Sequence, residues 1–179
     1  EAYSPFTASY PTTSGCGNAY VKGEYSGQLT VATENDIIVD GDLIRNGDSA
    51  VLGLIANNFV RVYHNYPTEK IDAGFRPSCH SGDPGYADEG VEDLTIDGAI
   101  LAINHSFIVD HYRCGKSWGT LTVRGAIAQK FRGPVGTSGG NTGYLKSYNY
   151  DDRLRFLAPP SFLKPEQSVD WTIGRETIE

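Results

Sequence analysis

Val21-Lys22-Gly23-Glu24, Val39-Asp40-Gly41-Asp42, Ile96-Asp97-Gly98-Ala99 and Val123-Arg124-Gly125-Ala126 share one pattern. Each is a β-branched residue, a charge, a glycine, and then a small or acidic residue. Leu43, Ile100 and Ile127 follow three of the copies closely, and Tyr25 follows the first. A second unit recurs over 31–39, 54–62 and 101–109, with an aliphatic start, a polar turn and an alternating β-branched strand. Asn35 and Asn58 fill the same slot in it, with Asn104 one place earlier. Asparagine accepts left-handed backbone and bonds neighbouring peptide groups, which suits a tight corner between short strands.

The strands between these corners are short and alternate. Leu29-Thr-Val31, Leu94-Thr-Ile96 and Leu121-Thr-Val123 each place an aliphatic residue on either side of a threonine. That period of two belongs to a sheet with one buried face. No segment keeps a 3.6-residue period over three turns, so no long helix is expected. A single short unit cannot bury its inner face alone, whereas copies stacked about 4.8 Å apart bury it collectively.

The expected fold is therefore all-β, a short right-handed parallel β-helix (a solenoid) in one domain over 1–179. Its coils would occupy 18–132. Two insertions, 65–92 and 112–119, would leave the same corner, directly after the strands ending at Val62 and Val109. The remainder, 133–179, would be a Gly-rich loop and an aromatic, proline-bearing tail capping the open end or side of the stack, where a bare edge invites aggregation. The spacing between motif copies is irregular, and a β-sandwich is the alternative.

Composition supports this and excludes several function classes. Twenty-one glycines, nine prolines and eleven tyrosines among 179 residues point to turns and strands. A net charge of −7 disfavours nucleic acid and anionic membranes, which need clustered Lys and Arg. No stretch reaches the roughly 18 apolar residues of a membrane span. No Gly-rich loop follows a strand and opens a helix, so nucleotide binding lacks support. The chain begins at Glu1 and contains no methionine, which leads to the expectation of a processed or excised product with an extracellular location.

The three cysteines are Cys16, Cys79 and Cys114. Cys79-His80 with His111-x-x-Cys114 has the ligand types of a zinc site, but no C-x-x-C knuckle accompanies it. A Cys79–Cys114 disulfide tying the two insertions together is the preferred reading, with Cys16 left over. Asp83, Asp88, Glu89, Glu92 and Asp93 are weak calcium candidates, since hard oxygen ligands crowd one insertion without EF-hand spacing. No cofactor is expected.

Asp40 and Asp97 occupy equivalent motif positions, where a carboxylate pair on one outer face would suit polysaccharide cleavage. Lys22 and Arg124 hold that place in the other copies, which reads instead as cross-strand charge pairing. His105, Ser106 and Asp110 lack a nucleophile-elbow context. Asn104-His105-Ser106 matches a glycosylation sequon at a tight corner. Thr30, Thr95 and Thr122 are explained by β propensity. Tyr144, Tyr148 and Tyr150, with Arg153 and Arg155, form the candidate binding strip for a sugar or protein, set against packing of the cap.

Four blocks in order carry a resemblance: Leu52 to His64, Leu94 to Phe107, Gly119 to Gly136 and Tyr148 to Phe162. Together they resemble the C-terminal ectodomain of bacterial type IV pilin-like surface proteins of poorly defined function. Such proteins typically carry an N-terminal pilin-like membrane helix, absent from this sequence. The resemblance implies a cell-envelope location and a pilus-associated role, and supplies no catalytic residues. The expected function is a non-enzymatic structural or adhesive module whose partners are further copies of itself, cell-surface or pilus proteins, or glycans. A carbohydrate-binding or carbohydrate-active β-helix protein is the alternative.

Overall fold

The computed structural model describes residues 17–64 and 90–162. Nine strands run through them: β1 Ala19–Tyr25, β2 Gln28–Thr33, β3 Ile37–Arg45, β4 Val51–Ala56, β5 Val60–Val62, β6 Thr95–Ala102, β7 Phe107–Val109, β8 Ser117–Gln129 and β9 Gly143–Tyr150. All belong to one sheet, and every pairing between them is parallel. The described residues contain no α-helix, and their antiparallel contact is an isolated bridge between Gly136 and Gly143. The antiparallel strand pairs that a sandwich requires do not occur between the named strands.

Three sets of parallel rungs make up the sheet. In the first, Ala19, Ile37, Val60 and Phe107 are successive partners, as are Val21, Val39, Val62 and Val109. In the second, Leu43 pairs with Ile96, Ile96 with Val123, and Val123 with Tyr148. In the third, Val31, Leu54, Ile100 and Ile127 align through β2, β4, β6 and β8. The core draws on all three: Ile37, Val39, Val60 and Val62 pack with Leu43, Ile96 and Val123, and with Leu54 and Ile100. Branched aliphatics at every second position explain this, because each rung offers the core the same face as its neighbours.

The corners bear out the hydrogen-bonding half of the asparagine reading, while none of these asparagines takes left-handed backbone. Asn35 Nδ2 donates to Asn18 Oδ1 at 2.7 Å, and Asn58 Nδ2 donates to Asn35 Oδ1 at 2.5 Å. Asn35 and Asn58 are buried, so their amides satisfy one another where water does not reach, while Asn18 closes the column at the exposed end. Asn104 sits one place out of that column, as its sequence position implies, and donates instead to Asn57 Oδ1 at 2.9 Å.

Register is where the sequence reading needs correction. The four glycine motifs do not share one column. Val21 and Val39 are partners in the first rung set, whereas Ile96 and Val123 are partners in the second. The cause is local: Val21 faces Val39 but Gly23 faces Leu43, so β3 spends two more residues than β1 before the second set begins. Several strands are also longer than the short ones expected, reaching 13 residues in β8, which serves two rung sets. β8 begins at Ser117, so it takes in the end of the expected 112–119 insertion. β9 lies within the expected tail yet extends the second rung set beside β8.

After β9 the chain reverses along the side of the sheet. Asp151 N donates to Gly125 O at 3.1 Å, and a short 3-10 turn follows at Asp152–Arg155. Residues 156–162 then run back toward β4 and β2. Thr30 Oγ1 donates to Pro160 O at 2.5 Å, and Pro159 and Phe162 seat against Gly53. This segment, 151–162, clasps the side of the ladder from β8 to β2.

Candidate functional site: ionic rungs and the C-terminal clasp

Two ionic networks link the rungs. In the first, Arg61 of β5 stands between two carboxylates. Its Nε and Nη2 donate to Asp110 Oδ1 and Oδ2, both at 2.8 Å, and its Nη1 donates to Asp36 Oδ2 at 3.0 Å. Asp36 and Asp110 are 0% and 2% exposed. Asp36 also accepts Phe59 N at 3.1 Å, so each buried oxygen has a donor. His64 Nδ1 lies 3.0 Å from Asp110 O, and the His64 ring meets those of Trp118 and His111 edge-on. Burial pushes the His111 pKa below its ordinary value, against the pull of Asp110. Val62 and Val109, which precede the two insertions, are direct partners, so both insertions leave adjacent rungs.

The second network ties ladder to clasp. Arg124 Nε and Nη2 reach Asp97 Oδ1 and Oδ2 at 2.5 and 3.0 Å, and Asp97 Oδ2 accepts Arg45 N at 3.2 Å. Arg45 Nη1 then donates to Asp151 Oδ2 at 3.0 Å, and Asp151 is gripped by Arg153 through Nε and Nη2. Arg153 Nη1 also donates to Asp48 O and Ala50 O. The Arg153 fork holds the Asp151 carboxyl below its ordinary pKa. Tyr25, whose hydroxyl donates to Asp97 O, is pushed up to about 12 by burial and then by the Asp97 charge.

Asp97 belongs to the second rung set, whereas Asp40 lies in the irregular stretch between Val39 and Leu43. Each instead meets the opposite charge of its paired motif: Lys22 Nζ lies 3.2 Å from Asp40 Oδ2, and Arg124 forks onto Asp97. Thr95 and Thr122 are partners, but Thr30 faces Gly53 in the third set, so the three threonines do not share a face. Ser106 Oγ donates to Phe131 O, His105 stacks on Phe59 at 4.5 Å, and Asp110 is taken by Arg61, so these three side chains point to different partners.

The candidate strip at the C-terminal end is divided. Tyr144 is 3% exposed and its hydroxyl donates to Val91 O, with burial raising its pKa. Arg153 faces the clasp interior, and Arg155 pairs with Asp152 at 3.3 Å. Tyr148 and Tyr150 stand 43% and 56% exposed on β9, with burial of part of the ring moving Tyr148 to about 12. Of the calcium candidates, Glu92 pairs with Lys116 at 2.5 Å and Asp93 Oδ1 accepts Thr120 N at 2.9 Å. Asp83, Asp88 and Glu89 lie outside the described residues. Cys114 is 2% exposed, while Cys79, His80 and Cys16 lie outside them.

Compared with known protein families, curated proteins and solved structures, the chain matches none of them.

The outward side of the third rung set carries a feature that sequence reasoning missed. Gly53 and Ala99 are partners there, followed by Ala126, and the neighbouring column runs Ala32, Ile55, Leu101 and Ala128. Small residues let Pro159 and Phe162 approach the first column. Beside them Ile55, Leu101, Ile103, Ala128 and Ser161 line a groove of about 500 Å³. The available signal was an absence of charge: Thr30, Gly53, Ala99 and Ala126 make one column, and Ala32, Ile55, Leu101 and Ala128 the next. Arg45, Arg61 and Asp151 were also missed, because the partners that tie them to other rungs lie 25 to 106 residues away along the chain.

Proposed function

We propose that this chain is a non-enzymatic extracellular structural or adhesive module, associated with a pilus or the bacterial cell surface and built as a short right-handed parallel β-helix. The observation that carries this reading is the use of the buried charges. Asp36, Asp97, Asp110 and Asp151 each ligate an arginine from another part of the ladder or the clasp. They are spent on cross-bracing neighbouring rungs. Paired, fully bonded ions of this kind favour a single register over alternatives. A rigid, register-locked stack is what a surface spike needs. The resemblance of the four sequence blocks to pilin-like ectodomains supports the location.

The right-handed winding follows from the general handedness of parallel crossovers. A Cys79–Cys114 bridge would staple the two insertions over adjacent rungs, and the burial of Cys114 is compatible with it. Strands paired on one side offer edges for self-association: β9 exposes Leu145 and Tyr150, β1 exposes Tyr20 and β2 exposes Leu29. The exposed rings of Tyr150 and Phe156, the latter 92% accessible, are the observation behind a glycan-binding alternative.

Protease shaving of intact producing cells tests the location, and a polysaccharide panel read by new reducing ends tests the chemistry. Loss of the chain from intact cells with no new reducing ends is expected. Protection from the protease, or turnover of any polysaccharide, contradicts the proposal.

A further inference from the structure

We propose that Asn46 is a self-modifying residue, converted through a cyclic imide to aspartate and isoaspartate in the folded protein. Asn46-Gly47 occurs once in the sequence, and every other asparagine precedes a residue with a side chain. Amide loss at asparagine requires the next backbone nitrogen to attack the side-chain carbonyl, and a glycine removes the side chain that obstructs that approach.

The local structure leaves the attack open. Asn46 and Gly47 are exposed, on the turn between β3 and β4. Gly47 has φ +100, and a Cβ built there would meet nothing within 4 Å, so no neighbouring element packs against that side of the turn. Asn46 N is committed to Tyr25 O at 2.8 Å and Gly47 O accepts Ala50 N, whereas Gly47 N is assigned no acceptor among the described residues. The contrast with Asn35 and Asn58 is complete, since their amides are bonded to one another and buried.

The balance closes without an oxidant or a cofactor. Gly47 N bonds to Asn46 Cγ, the Cγ–Nδ2 bond breaks, and ammonia leaves with the proton from Gly47 N. Water then opens the ring at either carbonyl, giving aspartate or isoaspartate. Each product adds a negative charge, taking the formal net charge from −7 to −8. Isoaspartate also lengthens the backbone by a methylene beside Asp48 and Ala50, the carbonyls that Arg153 of the clasp holds.

The test incubates the folded full chain in heavy-oxygen water at neutral and mildly alkaline pH. Peptide mapping and isoaspartyl methyltransferase labelling follow, with the unfolded chain and Asn46→Gln alongside. Expected is label in the peptide carrying Asn46, rising with pH, ahead of every other described asparagine and lost in Asn46→Gln. The proposal is overturned if the folded chain leaves Asn46 intact while the unfolded chain converts it, or if another described asparagine converts first.

Discussion

Gly125 and Gly53 belong to the same sheet, yet they guard against different neighbours. A Cβ at Gly125 would overlap the backbone carbonyl of Gly98 on the adjacent rung. A Cβ at Gly53 would meet side chains, Phe162 Cδ2 and Pro159 Cβ at 2.8 Å each. The ladder is thus built on backbone-to-backbone contact that cannot yield, and the clasp on side chains laid over a smooth face. What this teaches is a hierarchy: the rungs define the fold, and the clasp fastens it.

Gly125→Ala is expected to have the largest effect, because the rung itself must move. A loss of more than about 4 kcal/mol, or failure to fold, is expected in urea titration. Asp97→Ala should come next. It leaves the Arg124 fork and Arg45 N without their acceptor, at a cost of about 2 kcal/mol, since the Arg124 side chain is itself 47% exposed to water.

Gly53→Ala separates the two regions. It should cost only about 1–2 kcal/mol, leave the far-ultraviolet β signal intact and make the chain sensitive to protease after Tyr150. If the β signal collapses with it, ladder and clasp are one unit and the comparison fails.

Acid should loosen the clasp selectively. Asp151 is held below its ordinary pKa by the Arg153 fork. A carboxylate depressed in the folded state stabilises above its unfolded pKa, and that stability is lost as pH falls through the lowered folded value. Asp151→Asn should therefore lower the melting temperature near neutrality, by about 1–2 kcal/mol in free energy, and flatten this part of the acid-side decline. The smallest effect belongs to Lys22→Ala. Its pair with Asp40 is exposed on both sides, 65% and 39%, and its removal should change stability by less than about 0.5 kcal/mol in the same titration.

Legibility in the sequence tracked the distance over which a residue acts. The motifs at Ile96 and Val123 were readable because Thr95–Ala102 and Thr122–Gln129 pair residue for residue at one constant offset. The motif at Val39 was misplaced because the residues between Val39 and Leu43 break that offset, and no periodicity shows an irregularity within one strand. The asparagine corners were legible because the residue recurs in the same slot of the repeat, and stacked copies bond amide to amide. The clasp was half legible: its aromatic and proline content announced a covering segment, but not that β9 would first add a rung. Arg61 and Arg45 were opaque, because a lone outward charge on a strand looks the same whether its partner is solvent or a carboxylate far along the chain.

The central claim is that two parallel columns exist where the motif alone suggests one. Paired cysteines read this directly, since a bridge closes only when the Cα atoms lie within about 4.4–6.8 Å. Thr95→Cys with Thr122→Cys, which are register partners, should close efficiently under mild oxidation and be recovered as one linked peptide pair. Asp40→Cys with Asp97→Cys should stay open, and closure of that pair in preference to the first would contradict the account.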